Sequence, residues 1–296
     1  MTESVLNNVR NVSFYGSRQQ EGHISAIWSL ILKLKEKGIT VSLERKLADV
    51  LSSCRYRPSI HGIGTCSKIP SDCDLAISVG GDGTFLRTAR WLDGREIPVM
   101  GINTGHLGFL AENSSSDIDE ILSIITSGKA PIERRLVLRC EFTTHSGVNE
   151  TAYALNEAAF LKGAASMIDI EVNLDGFHLA SYRADGLIMS TPTGSTAYNL
   201  SVGGPIIAPT LQCIVLSPIA PHTLTLRPVV VSANSSVIAT VSSREPIFRL
   251  SVDGKAADVA CGSAVKISKA QFEVLTVRRP GENFASTLRS KLLWGH

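Results

Sequence analysis

Asp74-Leu75-Ala76-Ile77-Ser78-Val79 runs directly into Gly80-Gly81-Asp82-Gly83-Thr84. The first six residues read as a short apolar strand, the glycines as a tight turn, and residues 84–92 as a helix. Strand, turn and helix in that order open a βαβ unit, whose sheet is parallel and whose helices cover its faces. The flanking sequence repeats the alternation. Residues 11–14 read as a strand, and Ile24, Ile27, Ile31 and Leu34 then recur at helical spacing, with Gly38 where a C-cap belongs. Residues 39–43 alternate as a strand, Leu47, Val50 and Leu51 suggest a short helix, and residues 97–102 read as another strand.

Beyond about residue 112 the character of the chain changes. One more helix is expected near residues 117–126. Short β-type segments follow at 136–142, 168–174, 186–190, 229–231, 237–241, 247–252 and 272–277, separated by glycine, proline, serine and asparagine. Such a run reads as a sandwich or a similar β stack. The tail, residues 286–294, is helical in pattern and is expected to pack back on the first domain. The expected fold class is α/β plus mainly β. The α/β domain spans residues 1–112, joined by the tail 282–296, and the β-rich domain spans 113–281.

Composition narrows the function. The 296 residues are 44% hydrophobic and 19% charged, and 29 basic residues against 27 acidic ones leave a net charge of +2. That balance offers no global attraction to nucleic acid or to an anionic membrane. The paired arginines Arg134-Arg135 and Arg278-Arg279 are isolated and read as solvated faces or salt-bridge partners. The six cysteines, at 54, 66, 73, 140, 213 and 261, form no C-x-x-C pair, so neither a zinc site nor a disulfide framework is expected. The polar start, residues 1–16, lacks the apolar core of a signal peptide, and no apolar stretch approaches the roughly 18 residues of a membrane span. A cytoplasmic protein is the expectation.

Four stretches carry candidate chemistry. Glycines at residues 80, 81 and 83 let the backbone approach phosphate oxygens, and the helix N-terminus beyond them favours anions. At the carboxyl end of a strand, Asp82 would point into the crevice where open α/β sheets bind ligands; the plainer alternative is an aspartate that only caps the helix. The turn lacks a lysine-bearing P-loop pattern. The second stretch, Gly101-Ile102-Asn103-Thr104-Gly105-His106-Leu107-Gly108-Phe109-Leu110, follows the next strand and can converge on the same ligand, or is a loop that needs positive φ. His106 reads as structural. The third is Asn156-Glu157: a carboxylate accepts from both hydroxyls of a ribose diol, and an amide reads donors and acceptors on a base, while taken alone the dipeptide reads more simply as a surface turn. The fourth runs from Arg183-Ala184-Asp185-Gly186 through Ser190-Thr191-Pro192-Thr193-Gly194-Ser195-Thr196-Ala197-Tyr198-Asn199-Leu200-Ser201. It is a donor-rich loop, and Tyr198 adds an aromatic face and a hydroxyl.

The order and spacing of these four stretches resemble the NAD kinase family, over about residues 74–260. Ala220-Pro221-His222-Thr223-Leu224 and Ser251-Val252-Asp253-Gly254 support the likeness. The resemblance implies a Rossmann-like α/β domain, a β-sandwich domain, and a tail that returns to the first. It also implies an enzyme that moves a phosphoryl group from ATP, another nucleotide or polyphosphate to the 2′-hydroxyl of the adenosine ribose of NAD. By resemblance, Asp82 is the base, and Gly80, Gly81, Gly83 and Thr84 hold phosphate oxygens. Asn156, Glu157, Asp185, Thr196, Ala197, Tyr198, Asn199, Leu200 and Ser201 hold the NAD adenosine, with Arg87 and Arg183 as phosphate or ribose neighbours. Mg²⁺ or another divalent cation is expected on the donor phosphates, with no metal site of the protein's own. A homodimer or homotetramer is expected, since relatives commonly associate. Ser166, where many relatives carry histidine or another polar residue, and Lys255, where some carry glutamine, depart from the pattern. The G-G-D-G-T turn also occurs in diacylglycerol and sphingosine kinases, but no apolar acyl-binding surface or basic membrane patch is evident in this sequence. A non-catalytic NAD sensor is the other alternative, and Asp82 speaks against it.

Overall fold

Leu75–Val79 is buried at every position, as a strand covered on both faces must be. In the computed structural model this strand lies near the middle of a mostly parallel sheet. The structure describes residues 5, 6, 8–16, 21–53, 62–105, 108–163 and 166–294. His106, Leu107 and Cys54 lie outside the described residues. The chain divides into two compact units, residues 1–134 with 274–296, and residues 135–273.

The first unit begins with β1 (Asn11–Gly16), α1 (Glu21–Glu36), β2 (Thr40–Glu44), α2 (Arg45–Ser52) and β3 (Ile63–Cys66). It continues through β4 (Leu75–Val79), α3 (Asp82–Trp91), β5 (Val99–Asn103), β6 (Asn113–Ser114), α4 (Ile118–Ser127) and β7 (Ile132–Arg135). Strand order is β3-β2-β1-β4-β5 with parallel pairing throughout, so the order reverses between β1 and β4. That reversal opens a crevice at the carboxyl ends of the strands, where Gly80 and Asp82 follow β4. Helix α1 places Ile27, Leu30, Ile31 and Leu34 in the core against Phe14 and Ile77, and Gly38 at φ +77° turns the chain out of it.

The second unit is all β apart from one short helical segment. Its strands are β8 (Leu138–Thr143), β9 (Asn149–Ala154), β10 (Glu157–Leu161), β11 (Ile168–Leu174), β12 (Phe177–Ala184) and β13 (Gly186–Ser190). After a 3-10 turn (Thr193–Thr196) and the four-residue α5 (Tyr198–Ser201) come β14 (Cys213–Ile219), β15 (Val229–Ser232), β16 (Val237–Ser242), β17 (Ile247–Val252), β18 (Lys255–Ala260) and β19 (Ala264–Lys269). They form two six-stranded antiparallel sheets, β15-β14-β13-β10-β17-β18 and β12-β11-β16-β19-β8-β9. Strands β8, β11 and β16 alternate buried and more exposed residues, the mark of sheets with one face on a core. Within that core the rings of Phe160 and Phe248 stack with centroids 6.0 Å apart.

Two segments fall elsewhere than the sequence reading placed them. Residues 272–277 were expected in the β-rich domain. Instead β20 (Val274–Val277) pairs in parallel with β5 in the first unit, and the chain ends in α6 (Phe284–Leu292). All four β20 residues are buried, and a continuous apolar run suits a doubly covered parallel strand better than an alternating sandwich strand. Helix α4 also belongs to the first unit rather than beyond a boundary at 112, because Ile121, Ile124 and Ile125 join the same core as α1. Helix α6 starts with a capping box between Asn283 and Ser286. Just before it, buried Arg278 lies 2.6 Å from Glu112 and 3.5 Å from Glu133. No described helix is long and apolar enough to cross a membrane.

Arg278→Met is expected to cost about 3–5 kcal/mol, because it leaves the buried Glu112 carboxylate without its cation. Adding Glu112→Gln should recover much of that loss, read as a shift of the urea midpoint. Phe248→Ala, which opens a cavity in the sandwich, should cost about 3–5 kcal/mol with no such rescue.

Candidate active site

Asp82 is the first residue of α3, but its side chain makes no cap bond to the helix. The carboxylate turns instead to the loop after β5. Oδ2 accepts from the Phe109 N–H at 2.8 Å, and Oδ1 accepts from Leu110 at 3.0 Å and Ala111 at 3.1 Å. The two glycine-rich stretches therefore meet in one place, and the helix-capping alternative for Asp82 does not hold. Gly108 is glycine because of this clamp: a Cβ there would lie 1.9 Å from Asp82 Oδ1. Gly101 and Gly105 are not among the described residues with positive φ. Gly101 is instead pressed by the Ala111 backbone, 2.6 Å from where its Cβ would sit. Asn103 braces the loop, accepting from Gly105 N–H at 2.6 Å.

The glycines of the turn differ in what they do. Gly80 has φ +148°, and its Cβ would strike Thr84 Oγ1 at 2.4 Å, so the fold itself requires it. A Cβ on Gly81 would meet nothing within 4 Å, and one on Gly83 only the tip of Arg87 at 3.9 Å. The fold leaves open space beside both. Arg87 is held to the turn by its bond to Thr84 Oγ1 at 2.9 Å.

One residue of this region escaped sequence reading. Lys291, on α6, has its Nζ enclosed without a hydrogen-bond partner. Burial lowers its pKa, opposed by the charges of Asp82, Glu112 and Glu282. Nothing in the sequence ties a lysine in the tail to Asp82; only the return of the chain does so.

In the second unit, the third and fourth stretches also meet. Thr191 Oγ1 donates to the Leu155 carbonyl at 2.6 Å, and Thr191 N–H to the Asn156 carbonyl at 2.8 Å. Gly194 packs so closely that a Cβ would lie 2.2 Å from the Asn156 carbonyl oxygen. Asp253, in the turn between β17 and β18, accepts from the N–H groups of Leu155, Asn156 and Glu157 at 2.7, 2.9 and 3.1 Å. Asn156 Oδ1 and Glu157 Oε2 are buried and have no hydrogen-bond partner among the described residues. Burial, and then the Asp253 charge, push the Glu157 carboxyl up to about 7, against the Tyr198 N–H that donates to it.

The remaining candidates fall into three kinds. Tyr198 is 40% exposed, with its ring free to meet a ligand, while Thr196, Ala197, Leu200 and Ser201 lie partly or fully accessible around it. Asn199 is spent on the protein: Nδ2 donates to Ser195 and Pro205 carbonyls, and Oδ1 accepts from Ser217. Its side chain has no donor left for a ligand. Asp185 pairs with Lys162 at 2.7 Å, and exposed Arg183 lies 3.9 Å from Asp169. Register puts Glu157 opposite Ser190 but Leu161 opposite Gly186, so Asp185 lies about 17 Å along the strands from Glu157. No cluster of three or more His, Cys, Asp or Glu suited to a metal occurs among the described residues.

The site geometry agrees with comparisons to known proteins. The family model of the ATP-NAD kinase N-terminal domain matches residues 31–130, and that of the ATP-NAD kinase C-terminal domain matches residues 149–279. The NAD kinase of Porphyromonas gingivalis is 40% identical over 289 residues, covering 97% of this chain and 99% of its own. Yeast NADH kinase, solved with NADH, superimposes with a TM-score of 0.86 at 23% identity, covering 98% of this chain and 89% of that one. An NAD kinase from Archaeoglobus fulgidus, solved with ATP, gives 0.71 at 27% identity, covering 95% and 99%. With two glycine-rich stretches gathered on Asp82, a buried Asn156-Glu157 turn, and a relative matched along nearly its whole length, this chain belongs to the NAD kinase family.

Proposed function

We propose that the protein transfers the terminal phosphoryl group of ATP to the 2′-hydroxyl of the adenosine ribose of NAD, giving NADP and ADP. The observation that carries this is Asp82. Three backbone N–H groups fill three of the roughly four lone-pair positions of its carboxylate, which leaves one, on Oδ2, to accept a hydroxyl proton. The clamp fixes the carboxylate in place, and placement is what a weak base needs. As the 2′-oxygen forms its bond to phosphorus and the bridging P–O bond to ADP breaks, the hydroxyl proton passes to Asp82.

Gly81 and Gly83 border open space at the N-terminus of α3, where free N–H groups and the helix dipole favour phosphate oxygens. Asn156 Oδ1 and Glu157 Oε2 are buried acceptors suited to the adenosine, and Tyr198 offers its ring. A divalent cation enters with the donor, on its phosphates, and neutralises charge there. The edge strands β9 and β15 are where a homodimer or homotetramer would add to the two sheets. Five free cysteines among the described residues suit the reducing cytoplasm. The lipid-kinase alternative gains nothing from these features.

NADP formation from NAD, ATP and Mg²⁺, followed with an NADP-specific dehydrogenase, tests the reading. Asp82→Asn should retain NAD binding and lower kcat by about 10²–10⁴; near-normal turnover would remove Asp82 as the base. Gly108→Ala should lower kcat as well, although the acid is still present, because the methyl group displaces the carboxylate. Gly81→Ala should leave the melting temperature within a degree or so and raise the KM for ATP about tenfold. An unchanged KM would show that phosphate does not pass there.

A further inference from the structure

Asp253 has no part in the reaction as described, yet it makes three hydrogen bonds to the turn that carries Asn156 and Glu157. It sits at φ +45°, an uncommon conformation for a residue other than glycine, at the tight turn from β17 to β18. The N–H of Asp253 in turn donates to the Glu157 carbonyl at 3.1 Å, so the two turns hold each other by backbone and side chain. Without the carboxylate, the Leu155, Asn156 and Glu157 N–H groups would lose these acceptors in a largely buried place.

We infer that Asp253 is a positioning residue for NAD: it aims the free oxygens of Asn156 and Glu157 at the adenosine and governs the charge of Glu157. This inference rests on the NAD kinase reading. Its electrostatic half follows from what surrounds Glu157. Burial is the larger cause of its raised pKa, and Asp253, facing it from the β17–β18 turn, is the charged group that adds to it. The Tyr198 N–H donates to it from α5, and its neighbour across the pair on β13 is the uncharged Ser190. Cys140, on β8, also feels Asp253, but burial keeps its thiol protonated. With the carboxyl pushed up to about 7, Glu157 exchanges a proton near neutrality in the free enzyme.

The sign of the pH effect follows by linkage. A ribose diol that donates two hydroxyls to the carboxylate favours its ionised form, so the complex holds fewer protons than the free enzyme. NAD affinity must then rise as pH increases through about 7 and level off above it, and binding near neutrality must release protons. Replacing Asp253 removes the neighbouring charge, and the midpoint of that rise must move to lower pH. A purely structural role would weaken binding equally at every pH and leave the midpoint in place.

Isothermal titration of the full-length wild type and of Asp253→Asn with NAD, from pH 5 to 9, tests this. Wild type is expected to bind several-fold more weakly at pH 6 than at pH 8. Asp253→Asn should bind about tenfold more weakly at pH 8, with its midpoint displaced by about one unit toward acid. A midpoint that stays in place, or an affinity that equals wild type, would overturn the inference. If Asp253→Asn does not fold, Glu157→Gln decides: its affinity should be independent of pH from 6 to 8, and a persisting step would overturn the inference too. A wild type that binds no NAD at any pH would instead remove the functional reading beneath it.

Discussion

Both units of this protein depend on the same device, a carboxylate that accepts three backbone N–H groups from a single tight segment. In the first unit Asp82 gathers Phe109, Leu110 and Ala111; in the second Asp253 gathers Leu155, Asn156 and Glu157. Ionised acceptors make shorter and stronger bonds than neutral ones, and three converging N–H groups hold a carboxylate about as firmly as a protein can. The surrounding sequence is fitted to these two points. Gly108 leaves room for one carboxylate, and Gly194 lets the serine- and threonine-rich loop close over the segment held by the other.

The consequence differs in the two places because the remaining surroundings differ. Asp82 is partly accessible, stands beside two glycines with open space, and keeps a lone pair for an incoming proton. Asp253, also partly accessible, accepts three N–H groups from the Leu155–Glu157 segment, and in the proposed complex its effect on a ligand is indirect: a held amide, a held carboxyl, and a negative charge behind them. In the proposed reaction, moving the proton and holding the nucleoside thus fall to different carboxylates. Burial of Glu157 costs ionisation energy, which hydrogen bonds from the proposed ribose diol would return.

Much of the architecture was readable from periodicity. The βαβ alternation, the shift to β segments and the helical tail all rest on local spacing of apolar residues, and the strands of residues 168–174, 186–190 and 247–252 lie where the pattern put them. The convergence of the glycine-rich stretches and the pairing of Asn156-Glu157 with the loop at residues 190–201 were legible because order and spacing in the chain match a family. Local reading missed two things. The run at 274–277 has the composition of any buried strand, and composition does not say which sheet will take it. Asn199 looks like a polar ligand residue in a polar loop, and no local pattern announces that both its amide N–H donors go to the Ser195 and Pro205 carbonyls while Oδ1 accepts from Ser217.

By itself, then, the sequence determined the class of fold, the family, and the residue types at the two turns, because these follow from patterns within short stretches. Tertiary structure alone decided which backbone N–H groups meet Asp82 and Asp253, 27 to 29 and 96 to 98 residues away in the chain. It also decided that Lys291 returns to the neighbourhood of Asp82, and that Asp185 lies at the far end of β13 from Glu157. The physical reason is common to all of them. Hydrogen bonding and charge act over a few ångströms of space, and the distance between two residues in space is fixed by sheet order and register rather than by their separation along the chain.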